Sequence, residues 1–326
     1  MSAFSDLYSA ALADLTDPPC IAAARRFDPR RHRRLMIAAT AVGWIREDDV
    51  DVLRRWPAVF TIAPGTVTLA AALDTLEARS AALGGVIQAL AGEGRITGWR
   101  DETFAIRNRF DDPPLAFIER AASRFFGTMT YAVHVNGLLG SAADGGGGRG
   151  SHRSKDKDDG NDGNDGNDGS AMLWIARRSL DKAVDPGMLD TLVGGGIGWG
   201  WGIEAALEKE CWEESGIAPE LVRTARPGRI LHILTEIPQG TQAEQLFTYD
   251  LWLPPDFAPH AEDGEVAEHL CVRGEEALQA VATGRMTVDA SITTLDCALR
   301  HGWLDADSLP GFARLMTVPL PGREGA

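Results

Sequence analysis

The sequence predicts an α/β protein in two parts, an α/β sandwich preceded by a smaller α+β domain. Three observations lead there. The chain has 326 residues, more than one typical domain needs. Its apolar fraction of 44% supports a real core. After position 127, strand-like and helix-like runs alternate, as in layered α/β architectures. Residues 1–126 are expected to form the N-terminal domain, 127–315 the second domain, and 316–326 a tail.

In the first part, TVTLAAALDTLEARSAALGGVIQALAGEG has helical apolar spacing, broken at Gly84-Gly85. RITGWRDETFAI reads as a strand, and PPLAFIERAASRFFG as an amphipathic helix ending at Gly127. In the second part, MTYAVHVNGLLG and MLWIARRS read as two strands of a hairpin. Between them lies a glycine-, asparagine- and aspartate-rich insertion, about 140–171. It has almost no apolar residues, so it is expected to stay disordered. Its spacing matches neither an EF-hand loop nor the nonapeptide calcium repeat. RILHILTEI, QLFTYDLWL and EVAEHLCV follow as strands, and GEEALQAVATG and SITTLDCALRHGWL as helices.

The formal net charge is −15 and the pI about 4.9. That balance argues against nucleic-acid binding, which needs a basic footprint. It leaves room for an anionic small molecule, given metal ions or local arginines. The four cysteines are scattered, with no metal-ligand spacing, and read as reduced thiols. No signal peptide and no membrane-length apolar run is apparent, so a cytoplasmic location without membrane association is expected.

The chemistry concentrates in GGGIGWGWGIEAALEKECWEESGI, residues 194–217. Glu210, Glu213 and Glu214 fall at i, i+3 and i+4, one face of a helix. Three unpaired carboxylates there repel one another, and a divalent cation is the simple remedy. Magnesium favours oxygen donors and commonly bridges carboxylates to phosphates. Glycines before the helix let backbone approach closely, and Gly216 suits the helix end. The bland alternative is a solvated, glutamate-rich helix face.

Gly195, five residues, position 201, seven residues and then KECWEESGI resemble the Nudix box. Glu210, Glu213, Glu214, Gly195, Gly216 and Ile217 fall on its matching positions. Trp201 stands where the box has its first glutamate, and Lys209 where it has arginine. Both family residues help orient the core glutamates, and lysine keeps the charge without the planar fork. The resemblance implies a Nudix α/β/α sandwich with a mixed sheet. It also implies hydrolysis of a diphosphate linked to a further moiety, using Mg2+ or Mn2+. Glu210, Glu213, Glu214 and a main-chain carbonyl of the Gly194-Gly195 turn would hold the metal.

The flanks GWRDETFAI, IERAASRFFGTMTYAVHVNG, LWIARRSLDKAVDPGMLDTLVGGGI and YDLWLPPDFAPHAEDGEV narrow the resemblance to the Nudix subfamily related to thiamine pyrophosphokinase. Members resembling this chain hydrolyse thiamine diphosphate, and especially its damaged oxo and oxy forms, to monophosphates. An N-terminal accessory, substrate-recognition domain precedes their Nudix fold. Glu265 matches the DGEV pattern there, as base or extra metal ligand.

Arg177 and Arg178 leave one strand toward opposite faces, so at most one should meet the diphosphate. Lys182 is a second phosphate candidate, and Arg100 a third, from the N-terminal domain. Trp99 could stack on a heterocycle, or pack between the domains. Trp199 and Trp201 would serve a flat ring if exposed, or fill space if buried. RRFDPRRHRR, residues 25–34, could hold an anion or form a solvated face. Expected partners are a small-molecule diphosphate and, at most, a second copy of the chain. Two further readings stay open: a Nudix hydrolase of another diphosphate, such as a nucleotide derivative, and a catalytically silent binding protein.

Overall fold

A computed structural model of the chain describes residues 18–139, 171–182, 184–262 and 264–317. The insertion, apart from Ala171, and residues 318–326 of the expected tail lie outside them.

In the N-terminal part, β1 (His32–Ile37) pairs antiparallel with β2 (Thr40–Arg46) and parallel with β4 (Thr66–Leu69). With β3 (Phe60–Ala63), the sheet order is β2-β1-β4-β3. Two helices, α2 (Glu47–Leu53) and α3 (Leu76–Gly92), accompany it. The Thr75 side chain accepts from the Ala78 N–H at 3.1 Å and starts α3. The expected break at Gly84-Gly85 is absent, and the helix runs through both glycines. Each glycine costs about 1 kcal/mol relative to alanine. Leu83, Val86, Ile87 and Leu90 are buried on the same helix, and each such side chain contributes roughly 1.5–3 kcal/mol. Burial wins.

Residues 113–127 are not one helix. Ala116–Glu119 form β6, paired with β5 (Thr103–Ile106), and only then does the short α4 (Ala122–Phe126) follow. Ala116 and Ile118 alternate into the core, and the Phe117 N–H donates to Ser80 Oγ at 2.9 Å. Period-2 burial therefore overrides the helical reading. The strand expected over 95–106 is confined to Thr103–Ile106. Gly98 and Asp101 take φ of 77° and 58°, which interrupts extended backbone.

The second sheet contains seven strands in the described residues. Its path is β11 (Arg226–Ile237), β12 (Gly240–Leu253), β7 (Met129–Leu139), β8 (Met172–Arg178) and β13 (Val266–Arg273). β10 (Val193–Gly196) pairs with β7, and β9 (Leu189–Thr191) with β8. β7 and β12 are parallel and the other pairs antiparallel, so the sheet is mixed. β7 and β8 meet antiparallel at Gly137–Trp174 and Leu138–Leu173, as the hairpin reading expects.

One face of this sheet carries α1 (Pro19–Ala24), α7 (Gly274–Ala282) and α8 (Val288–Arg300) over Ala132, Leu231, Ile233 and Leu246. The other carries α5 (Ile203–Ser215) and α6 (Pro219–Val222) over Val133, Val135 and Phe247. The result is the expected α/β/α sandwich. α1 packs on the sandwich through Cys20, Ile21 and Ala24.

Candidate active site

The glycine turn and α5 meet at one end of the larger sheet. β10 runs beside β7 with Gly194 opposite His134 and Gly195 opposite Val133. A Cβ built on Gly195 would overlap the Glu210 carboxylate, so glycine lets this turn lie against that side chain without displacing it. Beneath it, His134 Nδ1 lies 3.0 Å from Thr191 Oγ1. α5 is helical throughout, and Gly216 closes it at φ 64°.

The three glutamates are not unpaired, as the sequence reading has them. Lys209 Nζ donates to Glu210 Oε1 at 2.9 Å and to Glu213 Oε2 at 2.6 Å. Glu214 is buried at 6% exposure, and its Oε2 accepts the Gly194 N–H at 2.8 Å. Burial raises the pKa of Glu210, against the pull of Lys209. It raises that of Glu214 well above the ordinary carboxylate range. Glu210 lies against Gly195 and Glu214 binds the turn's backbone, while Glu213 is joined to Glu210 only through the Lys209 ammonium. Carboxylate oxygens are the donors a cation such as magnesium takes, and Glu210, Glu213, Glu214 and the turn's carbonyl would have to close on it, since among the described residues the ligand cluster already gathered is Asp250, Cys297 and His301.

Beside the turn opens a cavity of about 230 Å³, among whose lining residues are Gly194, Gly195, Gly196 and Glu210. Arg178, Lys182, Arg100 and Glu265 line it too, whereas Arg177, Trp99, Glu213 and Glu214 do not. Strand alternation separates the arginines as expected. Arg178 Nη1 binds Asp190 at 2.8 Å, while Arg177 turns to Glu268 and the Gly187 carbonyl. Lys182 is ion-paired to Glu265, and Arg100 reaches the same carboxylate at 3.2 Å from the N-terminal domain. Burial acts to raise the Glu265 pKa, but Lys182 and Arg100 outweigh it and hold the group below its ordinary value. The loop leading to Glu265 is tied to α5 by the Glu262 N–H donating to the Glu213 carbonyl at 2.7 Å.

The aromatic candidates lie outside this cavity. Trp99 is exposed, and its Nε1 donates to Asp101 at 2.7 Å. Trp199 and Trp201, at 42% and 47% exposure, stand on the loop after the glycine turn, so they do not fill a hole left by a missing acid. The basic cluster is engaged internally: Arg30 with Asp28, Arg31 with Glu236, Arg33 with Glu47, and Arg34 over the Trp44 ring. It is therefore satisfied by its own surroundings rather than waiting for an anion.

Sequence reasoning missed Asp190, Glu244, Asp289, Arg120 and Arg124, which all line the cavity. Gln242 Nε2 donates to Glu244 Oε2 at 2.6 Å. Burial, with Glu244 nearby, raises the Asp289 pKa. The signal for Glu244 was an acid inside an apolar strand, but the strand starts five residues earlier than the run QLFTYDLWL.

Comparison with known proteins gives the family. Residues 164–287 match the family model described as NUDIX domain, and residues 19–130 match one described as a domain of unknown function, DUF4743. The chain is 33% identical over 283 residues to Nudix hydrolase 24, chloroplastic, of Arabidopsis thaliana, covering 86% of this chain and 70% of that one. It is 31% identical over 285 residues to Nudix hydrolase 20, chloroplastic, of the same plant, covering 84% and 69%. A Deinococcus radiodurans crystal structure aligns at TM-score 0.40 and 20% identity, covering 60% of this chain and 99% of that one. The chain belongs to the Nudix hydrolase family, and is a hydrolase of diphosphate-type anhydrides.

Proposed function

We propose that this chain is a metal-dependent pyrophosphohydrolase that converts thiamine diphosphate, or its damaged oxo and oxy analogues, to the monophosphate plus phosphate. The observation that carries the reaction class is the contact of Gly195 with Glu210 beside a cavity lined by five cationic side chains and six carboxylates. The substrate rests on the subsidiary motifs, GWRDETFAI and DGEV above all. Exposed Trp199 and Trp201 beside the turn support a flat heterocycle.

Glu210, Glu213 and Glu214 would hold a divalent cation, which would supply charge neutralisation at the diphosphate and a lower pKa for the attacking water. The chain's own groups do the rest. Glu214 fixes the turn through the Gly194 N–H, and Lys209 holds Glu210 and Glu213 in register. Arg178 and Lys182 face the anionic substrate from the cavity wall. Glu265 stays ionised at neutral pH, as a proton acceptor for the water or a further ligand. Magnesium or manganese is the metal this reading calls for, with the chain acting as a monomer or homodimer.

The test is phosphate release with magnesium from oxothiamine diphosphate, thiamine diphosphate, ADP-ribose and nucleoside triphosphates, with nucleotide products also assayed. Glu210→Gln and Glu214→Gln serve as controls. Turnover of the thiamine compounds, abolished in both variants, is expected. Turnover of the others alone would discard the substrate and keep the chemistry. Binding without turnover of any compound would favour a silent binding protein, with Trp201 the residue to examine.

A further inference from the structure

We propose that Arg124, delivered by the N-terminal domain, binds the substrate's diphosphate, so that the domain of unknown function forms part of the active site. The proposal deepens the reading above and rests on its diphosphate chemistry, not on thiamine. Five cationic side chains line the cavity: Arg100, Arg120, Arg124, Arg178 and Lys182. Four of them are ion-paired within the protein, with three carboxylates between them. Arg100 and Lys182 share Glu265, Arg120 binds Glu102 at 2.8 Å, and Arg178 binds Asp190 at 2.8 Å. The Arg124 guanidinium makes no hydrogen bond and no close ion pair among the described residues. Its charge acts on Asp289 only at longer range. A half-buried arginine without a hydrogen-bonded partner, facing a cavity beside a catalytic carboxylate, is the group on which an incoming phosphoryl oxygen gains most.

The backbone of Arg124 is held in place from the other domain. Gly240 opens β12 at φ 142°, and a Cβ built on it would collide with the Arg124 carbonyl. A Cβ on Gly43 would likewise meet the Phe126 carbonyl. α4 is thus clasped between the N-terminal sheet and the larger sheet, by approaches that only glycine permits. Arg120 stands four residues earlier, against Gly196 and under the influence of both Glu210 and Glu244. Arg120, in the turn before α4, and Arg124, within it, line the same cavity, so two guanidinium groups are available to one two-phosphate anion.

The experiment uses the full chain with magnesium, and methylenediphosphonate as a probe that carries no heterocycle. Binding is measured by calorimetry for wild type, Arg124→Ala and Arg124→Lys, alongside kcat and KM on the best substrate found. Arg124→Ala is expected to weaken probe binding and raise KM by roughly 10- to 100-fold, the loss of one charge-assisted hydrogen bond. Arg124→Lys should recover part of both. Unchanged probe binding in a folded Arg124→Ala protein overturns the proposal. So does a wild type that does not bind the probe, or a loss that follows one heterocycle while probe affinity stays put. Wild-type turnover of other diphosphates, with none of the thiamine compounds, sinks only the substrate reading.

Discussion

At the scale of single residues, Lys209 shows how a departure from a motif keeps the motif's function. It stands where the family box has arginine, yet its ammonium spans Glu210 and Glu213 at 2.9 and 2.6 Å. A point charge suffices to bridge two carboxylates on adjacent turns, where a planar fork is not required. Both carboxylates are positioned by a partner rather than by repulsion. Lys209→Met should therefore loosen the metal-binding pair, and a lost supporting contact of this kind typically costs 10- to 100-fold in metal affinity or activity. A magnesium titration of turnover checks it. The midpoint should move to higher metal, and Lys209→Arg should restore it. An unchanged midpoint in Lys209→Met would mean that Gly194 and Gly195 alone set the glutamates.

At the scale of elements, the legible parts were those with one strong period. The five longer strands of the larger sheet and α5 were readable because apolar runs, or carboxylates at helical spacing, were uninterrupted, whereas the short β9 and β10 went unread. The misreadings fall where two signals compete. At 113–127 a strand and a short helix abut, and their joint pattern imitates one amphipathic helix. That error hid Arg120 and Arg124, because nothing in one amphipathic helix ties their face to the glycine turn. In α3 the glycine pair outweighed four buried apolar positions in the reading, though not in the folded chain. Glu244 and Asp289 come from elements distant in sequence, so no local spacing joins them. The α3 result carries its own prediction. Gly85 is exposed, and a Cβ there meets nothing within 4 Å. Gly85→Ala should stabilise the protein by roughly 0.5–1 kcal/mol. Urea unfolding would show a higher midpoint with the same slope, and a fall in midpoint would refute the unstrained helix.

At the scale of the whole molecule, two domains share one cavity, while the core beneath α8 sets how the fold tolerates acid. His232 lies on β11 at 2% exposure, and its Nδ1 has no hydrogen-bond partner. Burial, reinforced by Arg25, lowers its pKa to about 4, against an ordinary value of 6.5. The sign follows from proton counting. Between those two values the unfolded chain binds a proton at this imidazole and the folded chain does not. Stability therefore falls as pH drops through the window, by at most about 1.4 kcal/mol per unit. Other groups titrate there as well. Glu210 and Glu214 have raised pKa values and act in the opposite direction, since burying them ionised is costly and protonation relieves it. Asp250, held by Arg300 and His301, has a strongly lowered pKa and yields its contribution only at much lower pH. A single stability curve would mix these effects, so the informative quantity is a difference. His232→Leu removes the imidazole and leaves the distant carboxylates in place. Chemical denaturation of both proteins at pH 7, 5.5 and 4.5 should show the variant gaining on the wild type as acid is added. A constant difference across the three pH values would mean that His232 is as easily protonated in the folded core as in the open chain.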